Sequence, residues 1–352
     1  LKKYVKVIAV FLMIMALVAT LPGCGKGPTV TINVYNWGEY IDEEVIDLFE
    51  KEYNINVNYE TFATNEDMYV KLVSGAGKYD VIIPSDYMIQ KLINEGMLLE
   101  LDFENIPNFE YIDNRFKNLP YDPENKYTVP YFWGTLGIVY NKNMVDEPVD
   151  SWDILFDPKY AGNIIMLDSM RDTIGVALRK LGYSINSTSP DELNEAMELL
   201  MEQKPLVQAY YVDEIKDVMI NGEAALALTW SGDAIDIYLE GVDYIGYAVP
   251  KEGTNLWFDC MAVPATSQHK KEAEMFINFM TDPEISYKNT SYVGYATCNK
   301  ETLRRMQEEN PDITEMASYW PGDEILDRCE VFNDLGEYQS LYNNVWTRLQ
   351  AK

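Results

Sequence analysis

The sequence predicts an α/β protein built as two lobes, on three observations. Apolar strand-length runs alternate with amphipathic helical stretches from Thr31 onward. The chain beyond its first 23 residues is about 325 residues long, more than one hydrophobic core commonly serves. No internal repeat or low-complexity tract interrupts the alternation.

In chain order, Thr31 to Tyr35 reads as a strand, and Glu43 to Tyr53 as a helix with Val45, Ile46, Leu48 and Phe49 as its apolar stripe. Asn56 to Phe62 is the next strand, and Asn65 is placed to cap a helix through Val73 that ends at Ser74-Gly75-Ala76-Gly77. Tyr79 to Ile83 is short and apolar, as in a buried parallel strand. A second run follows, with a strand at Ile164 to Leu167 and helices at Thr173 to Leu181, Pro190 to Gln203 and Asp213 to Ile220. It continues with a strand at Ala224 to Trp230, another at Cys260 to Val263 and a helix from Lys271 to Met280.

The first 23 residues read as an export signal. Lys2, Lys3 and Lys6 precede the apolar run Val7 to Leu21, which at 15 residues is short for a membrane span. The following Leu21-Pro22-Gly23-Cys24 resembles the bacterial lipobox, which implies a lipid on Cys24 and membrane attachment through it, with residues 24–28 as tether. The formal charge is −29, and loss of residues 1–23 removes three lysines and no acid, leaving −32. Such a chain does not seek nucleic acid, and its field attracts cations, although acidity also serves solubility alone. Cys260, Cys298 and Cys329 show no zinc-like spacing, so no metal site is expected. His269, the single histidine, stands beside Lys270 and Lys271 and reads as surface, which leaves little room for a histidine-dependent hydrolase.

Ligands of open α/β sheets bind beyond the carboxyl ends of the strands. Aromatic residues and carboxylates gather there. Trp37 and Tyr40 follow the first strand, and Ser85 and Tyr87 follow the third. Asp168 to Asp172 come after Leu167, then Trp230 with Asp233, and Trp257 with Asp259. A ligand with an alkyl chain and ammonium ends calls for both kinds of group: rings for methylenes and cations, carboxylates for N–H donors. Packing is the competing explanation of the rings, and at 13% aromatic content some coincidence is expected.

Several segments carry a family resemblance. They are Tyr35-Asn36-Trp37, Asn65-Glu66-Asp67-Met68-Tyr69, Tyr79 to Ser85, Val129-Pro130-Tyr131-Phe132-Trp133-Gly134, Ala177 to Tyr183, Trp257-Phe258-Asp259 and Val293-Gly294-Tyr295. The chain resembles, from about Val30 to Trp346, the polyamine-binding proteins of spermidine/putrescine ABC importers, which are type II periplasmic binding proteins. The resemblance implies two α/β lobes, each a mainly parallel sheet flanked by helices, closing over a ligand and presenting it to a membrane permease. The expected lobes are 29–136 with 259–303 and 137–258 with 304–352; a monomer without a cofactor is expected. Trp37, Tyr40, Trp230, Trp257 and Tyr295 become the implied aromatic walls, Ser85 and Tyr87 polar contacts, and Asp259 and Asp172 the carboxylates of the two lobes.

This sequence departs from the spermidine-type pattern at Ser169, in place of an aspartate, and at Phe332, in place of a glutamine. Asp233 and Glu39 fall where putrescine-type members carry acids, which tilts the expectation towards putrescine. Binders of another solute (an amino acid, sugar or metal chelate), a carboxylate-pair glycosidase and a structural surface lipoprotein are the alternatives that the residues leave open.

Overall fold

A computed structural model describes residues 30–75 and 77–351; the expected leader, lipidation site and tether, residues 1–28, lie outside them. The first half opens with β1 (Val30–Trp37), α1 (Glu43–Tyr53), β2 (Ile55–Phe62), α2 (Asn65–Val73), β3 (Val81–Ile82) and α3 (Asp86–Asn94). α1 has the bounds its periodicity predicts. Asp42 caps it, accepting from the Glu44 amide at 3.0 Å, and Asn54 ends it at φ +54°. β1 runs parallel to β2 and β3.

The organising element is β4 (Thr128–Asn141), buried along almost its whole length. Thr128 to Thr135 pair with β9 (Leu256–Ala262), whereas Leu136 to Tyr140 pair with β7 (Leu226–Trp230); both pairings are antiparallel. One strand therefore belongs to both lobes. Beyond β7 the second lobe adds β5 (Ile164–Leu167) and β6 (Val207–Tyr211), running parallel to one another, and β8 (Ile245–Ala248) pairs with the end of β4. Its helices are α4 (Met170–Lys180), α5 (Pro190–Gln203), α6 (Glu214–Ile220) and α7 (Ser231–Leu239).

One expectation changes. The sheets are mixed, with parallel strands outside and antiparallel strands at the centre, because one strand that leaves a lobe and one that returns must run in opposite directions. β9 pairs with β4 from Leu256 onward, and Trp257, Phe258, Ile313 and Tyr319 are buried in the same core as β1 and β3. Helical periodicity alone does not tell which of two cores a helix covers. We propose that the crossing lies at three adjacent segments, where the Leu136 amide bonds to the Asn255 carbonyl (3.1 Å) and the Leu256 amide to that of Glu330 (2.9 Å).

The second lobe's cores form around Ile138, Ile165 and Leu228, and around α4, α5 and the last helix, Gln339–Gln350. Among the described residues no helix is long and apolar enough to cross a membrane.

Candidate functional site

Between the lobes lies a cleft enclosing about 1090 Å³, including space open to solvent. All eleven residues singled out above line it: Trp37, Glu39, Tyr40, Ser85, Tyr87, Asp172, Trp230, Asp233, Trp257, Asp259 and Tyr295. Most come together because β1, β3, β5 and β7 end at the same seam, while Trp257 and Asp259 reach it from within β9 and Tyr295 from just after the Pro283–Val293 helix.

Asp259 sits in β9 two residues after Trp257, so both face the cleft while Phe258 turns to the aromatic core beside Tyr121. Its carboxylate accepts from the Tyr40 phenol at 2.8 Å and the Ser85 hydroxyl at 2.7 Å. Burial, reinforced by the nearby charge of Asp172, pushes Asp259 up to about 7 against those two donors.

Asp172 lies in the first turn of α4, which begins a turn earlier than its sequence pattern implies. Its Oδ2 accepts from Ser169 at 2.6 Å, and burial raises it to about 6 although Ser169 and Arg171 oppose the rise. Ser85 and Ser169 both occupy helix N-cap positions yet make no capping bond there; each hydroxyl turns to a cleft carboxylate instead.

Across the cleft, Asp233 stands in the first turn of α7. It accepts from Thr229 and, at 3.1 Å, from the phenol of Tyr295, and burial pushes it up to about 6. Helix N-termini favour such carboxylates, but burial outweighs that here. The ring of Tyr295 meets that of Tyr40 at 5.2 Å and that of Trp257 at 5.4 Å, so an aromatic wall joins the Asp233 station to the Asp259 station. Gly232 makes room for it: a methyl there would stand 2.3 Å from the Tyr295 ring. Trp37 of one lobe and Trp230 of the other face one another at 6.4 Å.

Four further residues shape the cleft and were not read from the sequence. Asn65 is not the cap of α2; Thr64 is, accepting from Asp67. Asn65 instead donates to Ser85 and Tyr87, both at 3.1 Å, and so positions the first lobe's polar contacts. Asn255, from the crossing segment, lines the cleft beside Asp172, and its side-chain amide helps hold that carboxylate down against burial. Arg171 is 2% exposed and lies 4.3 Å beneath the ring of Phe332, which itself meets Tyr87 across the lobes at 6.0 Å. Lys216 of α6 binds Glu39 of the other lobe and, at 2.9 Å, Asp236. Glu39 is therefore no free carboxylate: it stands in a left-handed turn, φ +50°, with its charge already answered.

The fold and cleft define a class, the extracytoplasmic receptors that close two lobes over a small solute. The chain belongs to the bacterial extracellular solute-binding protein family, whose model matches residues 44–315; this is a binding family, not an enzyme family. It is similar to the spermidine/putrescine-binding periplasmic protein of Salmonella typhimurium, 34% identical over 91% of this chain and 92% of that protein. The putrescine-binding periplasmic protein PotF of Escherichia coli is 30% identical over 85% of this chain and 86% of its own length. Among solved structures, a putative spermidine/putrescine ABC transporter protein from Listeria monocytogenes matches with a TM-score of 0.86, 41% identical, covering 91% of this chain and 98% of that one.

Proposed function

We propose that this protein captures a short polyamine, putrescine before spermidine, and delivers it to the permease of an ABC transporter from the outer face of the cell membrane, where Cys24 anchors it as a lipoprotein. One observation carries the reading. Two carboxylates from different lobes, Asp259 (buried) and Asp233 (partly buried), are tyrosine-bonded and raised to about 7 and about 6, and an aromatic wall joins them. Carboxylates drawn out of water favour a cation, and two of them joined by rings favour a dication with an alkyl chain. The names of the relatives support the same ligand class.

Asp172 joins Asp259 at one end. Phe332, 3% exposed, closes that end with an apolar face that offers a third amine no partner. Capture of a ligand draws the lobes together, and the closed form is what the permease recognises. A thermal-shift screen of polyamines, amino acids and sugars tests the class, since ligand at 100 times Kd adds about 2.7 kcal/mol. Stabilisation by putrescine and spermidine alone is expected; stabilisation by a sugar or amino acid and by no polyamine would overturn it.

A further inference from the structure

We propose that Lys216 is a specificity-determining residue: a tethered ammonium that fills the Glu39–Asp236 end of the cleft and restricts the ligand to two ammonium groups. The inference rests on the polyamine reading and adds to it a limit on ligand charge and length.

Nine carboxylate side chains line the cleft, and Lys216 is the single lysine or arginine among the lining residues. Its side chain is 17% exposed, and its ammonium is held by Asp236 at 2.9 Å and by Glu39 from the other lobe. α6 fixes its origin, since Ile215 and Met219 of the same helix are fully buried. Asp233 stands close by, close enough for its charge to act on Lys216. The protein thus supplies, at this end, what a further ligand amine would supply.

The geometry of the other end makes this decisive. Phe332, stacked over Arg171, shuts the Asp172–Asp259 side, so a longer amine can extend only towards Lys216. There it would meet a like charge, and the acids it needs are already paired. Asp233 remains as the second station.

The test is calorimetric titration of putrescine and spermidine into the whole mature protein and its Lys216→Met, Lys216→Gln and Lys216→Arg variants. Methionine and glutamine keep most of the stem and free both acids. The expected result is a spermidine-to-putrescine affinity ratio raised at least tenfold, about 1.4 kcal/mol, in Lys216→Met and Lys216→Gln, and little changed in Lys216→Arg. Wild type that binds putrescine, with an unchanged ratio in a folded Met or Gln variant, overturns the inference and leaves the polyamine reading intact. Wild type that binds neither amine overturns the polyamine reading and this inference with it.

Discussion

The phenol of Tyr40 donates a 2.8 Å hydrogen bond to Oδ2 of Asp259 across 219 residues of sequence. Tyr40 is itself held from behind, since Tyr131 donates to its carbonyl at 2.7 Å and Asn289 donates to Tyr131 at 2.6 Å. This buried relay presents Asp259 to the cleft in one orientation. Burial also keeps the phenols of Tyr40 and Tyr131 protonated, so both remain donors.

Asp259→Asn keeps the shape and removes the charge. Polyamine affinity should fall by roughly 1.5–3 kcal/mol, and more where the acid is desolvated by closure. The same change removes a buried charge that two hydroxyl donors answer but no cation neutralises, so the unliganded melting temperature should rise by about 2 °C per kcal/mol relieved. Titration calorimetry and thermal melts check both. Unchanged affinity would remove Asp259 from the site.

Binding should depend on pH with a definite sign. Asp259 near 7 and Asp172 and Asp233 near 6 are partly protonated in the empty cleft at mildly acidic pH. An ammonium favours their ionised forms, so affinity should rise as pH increases from 5 to about 8, with protons released on binding near pH 6.5. Their folded values lie above the unfolded ones, so the contribution of these groups to unliganded stability is greatest at low pH and declines between about pH 4 and pH 7. Calorimetry in buffers of different ionisation enthalpy reads the proton release. Affinity that is flat or improves towards pH 5 would contradict the account.

The tryptophans should separate. Trp257 is 6% exposed and packs against Gly134, where a methyl would stand 2.5 Å from its ring, so Trp257→Ala should cost about 3–5 kcal/mol of stability as well as affinity. Trp230 is only partly buried and faces Trp37 across the cleft; Trp230→Ala should weaken binding by about 0.5–2 kcal/mol with a smaller loss of stability. Denaturant melts beside titrations distinguish them. Equal stability losses in both would make Trp230 a packing residue.

The cleft was legible in the sequence wherever its residues follow a strand directly, because α/β topology sends strand ends to one seam. Trp37, Tyr40 and Ser85 were legible that way, whereas Asp259 lies inside β9 and shares a face with Trp257 two residues before it. Asn65 was misread because an asparagine ahead of an apolar stretch looks like a cap, and Thr64 does that work. Lys216 was invisible for a different reason: it sits on a short amphipathic helix among acids, where a lysine reads as solvated surface. Its partner Glu39 lies 177 residues away, on the other lobe. The central antiparallel pairing of β4 with β9 and β7 was equally hidden, since no local pattern marks a strand that serves two sheets.

Membrane attachment has its own test. Cys24→Ala should release the exported protein into the soluble fraction with ligand affinity unchanged, as read by fractionation and titration. Continued membrane fractionation would place the anchor elsewhere, such as in an uncleaved Val7 to Leu21 segment.

The central claim is that each end of one ligand meets its own carboxylate, Asp259 in the first lobe and Asp233 in the second. Calorimetric comparison of putrescine with mono-N-acetylputrescine, which keeps the chain and one ammonium, tests it most directly. The account predicts one site per protein and an affinity lower by roughly 1.5–3 kcal/mol for the acetylated amine, about 10- to 150-fold. Equal affinities for the two amines would contradict it.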